Sequence, residues 1–152
     1  LTTAIERTKW EFVLRGTGSI TAFDNAESFI GLQVINGPIA GTNVPTRTTI
    51  DTLGFYWASD VLRAYSDSAG TETTSALTTA PTVLGEVHLY GIELDRSNGL
   101  RFYVDRVLQA TITTNIPNAI GDGYLCFFIQ NDSAAAAVLE PGEMRVWTED
   151  EI

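Results

Sequence analysis

The chain has 152 residues and a net charge of −10, from 19 acidic against nine basic residues. Hydrophobic residues make up 44% and charged residues 18%, a globular composition in which a single domain over residues 1–152 can bury a sizeable core. This acidity excludes a nucleic-acid backbone or an anionic membrane surface as partner, because either calls for a basic stripe.

Period-two alternation dominates the sequence, and helical periodicity is nearly absent. Lys9 to Arg15 places Trp10, Phe12 and Leu14 on one face and Lys9, Glu11, Val13 and Arg15 on the other. Ser28 to Ile35 is the second predicted strand. Leu53 to Ala58 is the third, with Leu53, Phe55 and Trp57 opposite Gly54, Tyr56 and Ala58. Val61 to Ser66 follows across Ser59-Asp60, which reads as a tight hairpin turn. Glu86 to Asp95 and Leu100 to Asp105 flank Arg96-Ser97-Asn98-Gly99, where the Asn-Gly pair supplies the positive φ angles of a hairpin turn. Val107 to Thr113, Tyr124 to Asn131 and Glu143 to Glu149 complete the set.

Gly16-Thr17-Gly18, Asn36-Gly37-Pro38, Gly121-Asp122-Gly123 and Pro141-Gly142 punctuate the strands. Gly37 to Thr49 and Ser66 to Pro81 read as long polar loops, and the alanine-rich stretch from Ser133 to Leu139 reads as a surface loop. Many short strands with Gly and Pro between them indicate a sandwich or barrel, and no 20–50-residue repeat points to a propeller or solenoid. The alternation predicts an inter-sheet core of Trp10, Phe12, Leu14, Phe55, Trp57, Leu89, Phe102, Val104, Phe127, Ile129 and Val146.

Cys126 is the single cysteine, so no intramolecular disulfide forms, and its strand-like setting suits a small apolar filler. Eight of the nine basic residues are Arg, a bias that fits packed interfaces or genomic composition equally well. No apolar run is long enough for a membrane-crossing helix, and no basic segment leads into an apolar one at the start. The chain opens at Leu1 rather than Met, which suggests processing or an excised domain.

The segment Gly85-Glu86-Val87-His88-Leu89-Tyr90-Gly91-Ile92-Glu93-Leu94, followed by Gly99-Leu100-Arg101-Phe102-Tyr103-Val104-Asp105, resembles a hairpin of concanavalin A-like lectin and glucanase domains. There a strand close to H-x-Y-x-I-E leads through a turn to F-Y-V-D-G. Val107-Leu108-Gln109-Ala110-Thr111 and the closing Met144-Arg145-Val146-Trp147 continue the resemblance. It covers about a third of the chain closely and speaks for architecture, because the hairpin is scaffold. It implies an all-β fold, a two-sheet antiparallel β-sandwich in concanavalin-like jelly-roll topology. One departure is Arg106, where the pattern has Gly; it implies a differently shaped turn with a guanidinium at the rim.

Laminarinase-type hydrolases on this scaffold carry Glu-x-Asp-x-(x)-Glu on one strand, aiming two carboxylates at one glycosidic bond. Here the nearest acids are Asp24 with Glu27, Glu93 with Asp95, and Glu149-Asp150-Glu151, and none has that spacing. No catalytic residue is therefore assigned. His88 has no second histidine near it and reads as a structural strand residue. No cofactor is expected beyond a structural calcium, for which Asp24, Asn25 and Asp122 are weak candidates. A glycan would need aromatic faces and polar side chains together, and the strands offer Gln33, Tyr56, Arg63, Tyr65, Phe128 and Gln130 toward one concave face. Tyr56 and Phe128 are expected to be exposed there.

Compact concanavalin-like domains without catalytic acids, low in Lys and rich in Thr, Ala and Gly, resemble those found in phage structural proteins. The resemblance implies a non-enzymatic structural or surface-display component of a virus particle, such as a phage capsid decoration or tail-associated protein, with a capacity for glycan binding. Its expected partners are other virion proteins, further copies of itself and a glycan, with neither nucleic acid nor membrane. The expected location is the virion surface or the extracellular space. The alternative is a carbohydrate-binding module or lectin, and a third reading is a glycoside hydrolase.

Overall fold

Alternation of apolar and polar side chains becomes ten strands in the computed structural model, which describes residues 7–18, 26–33, 51–58, 61–68, 70–78, 87–95, 97–117, 124–131 and 137–148. They are β1 (Arg7–Gly18), β2 (Ala26–Gln33), β3 (Thr52–Ala58), β4 (Val61–Ser68), β5 (Thr71–Ala76), β6 (Val87–Asp95), β7 (Gly99–Val104), β8 (Val107–Ile112), β9 (Tyr124–Asn131) and β10 (Ala137–Thr148). They form two five-stranded antiparallel sheets. The first has the order β10-β1-β6-β7-β8 and the second β5-β4-β3-β2-β9. The fold is an all-β sandwich.

The core follows from cross-strand register. In the first sheet Trp10 lies opposite Ile92 and Ile92 opposite Phe102, while Phe12 lies opposite Tyr90. All five are buried, along with Leu94, Leu100, Val104 and Ile112. Leu53, Phe55, Leu62 and Ala64 answer from the second sheet. Phe55 is the hub: its ring meets Phe12 edge-on at 6.2 Å, Tyr90 at 5.1 Å and Phe102 at 5.4 Å. Burying such a ring contributes about 1.5–3 kcal/mol, and each aromatic pair adds roughly 0.5–1.5 kcal/mol.

Trp10, Phe12, Phe55, Phe102 and Val104 occupy the core as expected. The side chains of Leu14, Trp57, Phe127 and Ile129 lie outside the described residues. Two expected core members do not join. Leu89 is only half-buried, because Tyr90, Ile92 and Leu94 take the inner positions of β6 and leave the odd-numbered ones on the outer face. Val146 shares the face of Trp10 but stays 45% exposed, because β10 is an edge strand.

Two segments read as loops contain strand. Thr71–Ala76 forms β5 within the polar 66–81 stretch, its Thr residues suiting an edge strand whose inner positions Thr73 and Ser75 are only half-buried. β10 begins at Ala137, inside the alanine-rich stretch. Its pairing with β1 slips between Phe12 and Leu14, so that Gly142 and Glu143 oppose Val13 alone. Pro141 fits there because an edge strand tolerates a missing N–H. The Gly37–Thr49 loop lies outside the described residues.

The hairpin turns differ from expectation as well. Between β6 and β7, Asp95 does the capping: its carboxylate accepts the N–H groups of Ser97 at 2.9 Å and Asn98 at 3.2 Å. Gly99 has a φ of +99°, while Asn98 is not in the left-handed region. The β7–β8 turn places both Asp105 (φ 51°) and Arg106 (φ 67°) there, the pattern of a two-residue primed turn. Arg106 thus sits where glycine would be unstrained. A Cβ on Gly99 would lie 2.5 Å from the Ile112 carbonyl oxygen. Gly99→Ala is therefore expected to destabilise the fold by about 1–3 kcal/mol. Arg106→Gly is expected to stabilise it by up to about 1 kcal/mol. Urea unfolding of the two variants beside the wild type checks both signs.

Candidate functional site

The outer face of the second sheet holds Tyr56, Arg63 and Tyr65, and register aligns the backbone positions of Gln33, Phe128 and Gln130 with their rows. Tyr56 lies opposite Arg63 on β4 and Phe29 on β2, and Phe29 lies opposite Phe128 on β9. One step along, Tyr65 lies opposite Gly54 and Gly54 opposite Gly31. Gln33 aligns with Thr52, which aligns with Asp67, and Gln130 aligns with Glu27. The backbone thus brings all six positions onto adjoining rows. The side chains of Gln33, Phe128 and Gln130 lie outside the described residues.

The described members are tightly built. Tyr56 and Tyr65 are 8% and 3% exposed, so neither is the open platform expected of Tyr56. Their rings lie 6.0 Å apart across β3 and β4, where Gly54, lacking a side chain, leaves room for the contact. The Tyr65 hydroxyl donates to Glu72 at 3.1 Å and stands 3.4 Å from Asp67. Asp67 is fully buried, accepts the Gly70 N–H at 2.7 Å and lies opposite Glu72. Burial pushes its carboxyl above the ordinary range; the Gly70 bond pulls it back and the Glu72 charge raises it again. Arg63 differs: it is half-buried and makes no ion pair with another described residue.

Asp67 and Glu72, the two acids of the stretch read as a polar loop, join this face together with Thr52, and none of the three was among the expected glycan-facing residues. Alternation from Tyr65 along β4 already pointed to Asp67. Glu72 needed β5, whose polar composition concealed it.

The outer face of the first sheet is chemically different: Lys9, Glu11, Glu93, Arg101, Glu143 and Arg145 pair among themselves, and Arg106 makes no ion pair with another described residue. Lys9 pairs with Glu11 at 2.8 Å and lies over the rings of Tyr103 and Trp147. Glu93, a candidate acid in the sequence, accepts Arg101 at 3.1 Å and the Tyr103 hydroxyl at 2.9 Å. Its sequence partner Asp95 caps the hairpin turn. These two acids are therefore committed to structure. Asp24 and Glu149-Asp150-Glu151 lie outside the described residues, as does the side chain of Glu27. A shallow cavity of about 230 Å³ on this face is lined by Glu11, Val13, Leu89, Arg106, Glu143 and Arg145.

Among the described residues no group of three or more His, Cys, Asp or Glu could hold a metal ion. The calcium candidates Asp24, Asn25 and Asp122 lie outside them.

No protein-family model and no curated protein sequence matches the chain. Solved structures do match in fold. The carbohydrate recognition domain of Emp47p superposes with a TM-score of 0.65 at 13% identity, over 94% of this chain and 72% of that one. Sheep galectin-11 gives 0.59 at 9% identity, over 93% and 90%. The botulinum neurotoxin serotype G binding domain gives 0.61 at 9% identity over 95% of this chain, which spans only 33% of that domain. The fold is that of lectin-like sandwich domains. None of these neighbours is a virus-particle component, so the expected virion role gains no support from them.

The hairpin that carries the sequence resemblance places His88 in a structural role. Its Nδ1 lies 2.7 Å from Asp105 Oδ2, and Asp105 Oδ1 accepts the Leu89 N–H at 3.0 Å. Burial acts to raise the Asp105 carboxyl, but the Leu89 N–H and His88 outweigh it and hold it below its usual value of 3.8. A depressed folded-state pKa means that the unfolded chain takes up the proton first as pH falls. The stabilisation is therefore complete above the ordinary carboxylate range and is lost as pH drops through the folded-state value. Asp105→Asn keeps an acceptor and tolerates the positive φ. Its deficit in urea midpoint against wild type is expected to be constant near neutrality and to shrink below about pH 4.

Proposed function

We propose that this chain is a non-enzymatic glycan-binding module that takes its ligand on the outer face of the second sheet. The observation that carries the reading is Arg63, half-exposed and without an ion pair to another described residue, beside the packed Tyr56–Tyr65 pair. A guanidinium presents several donors in a rigid plane, suited to a saccharide's vicinal hydroxyls or a carboxylate. Glu72 and Thr74 on the neighbouring strand add exposed oxygens, and the aligned positions of Gln33, Phe128 and Gln130 extend the same face. Support also comes from fold neighbours that include a carbohydrate recognition domain and a galectin.

The particle-component reading, with virion proteins and further copies as partners and the virion surface or extracellular space as location, rests on composition and resemblance and takes second place. Hydrolysis is disfavoured because Glu93 and Asp95 are already committed to Arg101, Tyr103 and the hairpin turn. A glycan array followed by calorimetric titration of the best ligand tests the proposal. Arg63→Ala is expected to weaken binding at least about tenfold, with Arg63→Lys recovering little because the planar fork is lost. Failure to bind any glycan, or equal affinity in the Arg63→Ala protein, would overturn it.

A further inference from the structure

The two edges of the sandwich are finished differently. At the β5–β8 edge, residues 113–117 cross from β8 and are fastened to the second sheet. Ser66 Oγ donates to the Asn115 carbonyl at 2.8 Å, and Asn115 Nδ2 donates to Thr73 Oγ1 at 2.8 Å. Thr78 adds its backbone N–H and its hydroxyl, both to the Gln109 carbonyl on β8. Leu77 and Ile116 pack against the core there.

The β10 edge has no such closure among the described residues. Met144 lies opposite Phe12 and Val146 opposite Trp10, so both continue the core-facing rows. Phe12 and Trp10 are 2% and 8% exposed, yet Met144 and Val146 remain 41% and 45% exposed. Residues 142–146 are all exposed, and among the described residues β10 stands last in its sheet with no strand on its other side. Pro141 and the irregularity at Gly142–Glu143 guard the strand only up to that point, and between Gly142 and Trp147 it carries no lysine and no inward-pointing charge.

We propose that a second copy of this chain covers this edge, β10 pairing antiparallel with its counterpart about a two-fold axis at Met144. The two first sheets then join into one. Such an axis sets each residue opposite one on the same face, so few registers exist. Centring on Glu143 or Arg145 opposes like charges. Centring on Val146 sets Arg145 against the partner's Trp147, whose ring already lies 5.6 Å from the Lys9 ammonium. Centring on Met144 sets Glu143 opposite Arg145 twice, exchanging the pair that each copy makes within itself at 2.9 Å. It also sets Met144 against Met144 and Val146 against Gly142, which has no side chain to obstruct it. The association does not depend on what the second sheet binds.

The register makes the test specific. Directly opposed residues have Cα atoms about 4.5–5.5 Å apart, within disulfide range. In a Cys126→Ala background, Met144→Cys is expected to form a disulfide-linked dimer under mild oxidation, and Val146→Cys is not. Linking through Val146→Cys alone, or through neither, would overturn the proposal. Sedimentation of the otherwise native chain gives an independent reading should the cysteine variants fold poorly. Arg145→Glu is expected to weaken the dimer roughly tenfold, and adding Glu143→Arg to restore it. A monomer at the highest attainable concentration, or a dimer indifferent to the charge reversal, would refute it.

Discussion

Phe55 holds the two sheets together, and its position fixes what every other strand residue can do. Its ring reaches Phe12, Tyr90 and Phe102, each on a different strand of the opposite sheet. With those four rings inside, period two leaves no freedom: Tyr56 must lie on the outer face of β3, and Glu11 and Glu93 on the outer face of the first sheet. A one-residue slip would carry a phenylalanine into water and a carboxylate into the core. Register is therefore the strongest constraint on this molecule, and the chemistry of both outer faces follows from it.

The two outer faces use that constraint in opposite ways. On the first sheet, cross-strand neighbours alternate in sign: Glu11 opposes Arg145, and Lys9 and Arg101 flank Glu93. Glu11 and Glu93 can be 8% exposed because each has a cation within hydrogen-bonding distance. On the second sheet the acids Asp67 and Glu72 oppose each other, and Tyr65 donates toward both. Arg63, two residues from Tyr65 on β4, makes no ion pair with another described residue.

The fold was legible because its inner positions are large and regular. Trp10, Phe12, Phe55 and Phe102 announce their faces by alternation alone, and Tyr124–Asn131 has the bounds read from the sequence. What escaped was whatever depends on the third dimension. β5 has no apolar alternation to display, since an edge strand needs none, and so it reads as a polar loop. Leu89 and Tyr90 are both apolar enough for the core, and the inward row Tyr90-Ile92-Leu94, opposite Phe12 and Trp10, leaves Leu89 on the outer face. The six candidate positions were readable as a set, because alternation gives a face and register sets their backbone positions on adjoining rows. The burial of Tyr56 and Tyr65 was not, because their contact runs diagonally across two strands and needs the Gly54–Tyr65 alignment to exist.

The same logic explains how a fold persists where sequence likeness does not. Alternate apolar positions can be met by many residues, so the sandwich tolerates wide substitution without moving its strands. Turns are more demanding, yet even here the protein departs from the expected glycine. Asp105 and Arg106 both adopt left-handed backbone, a strain of about 1–2 kcal/mol per residue in L-amino acids. It is offset locally: the Asp105 N–H donates to the Leu89 carbonyl at 2.7 Å, its carboxylate takes the Leu89 N–H, and His88 completes the clamp. Three hydrogen bonds around one aspartate thus fix a turn that glycine would otherwise have to provide. The histidine of the hairpin is tied to this exchange, which gives His88 a structural part in the turn.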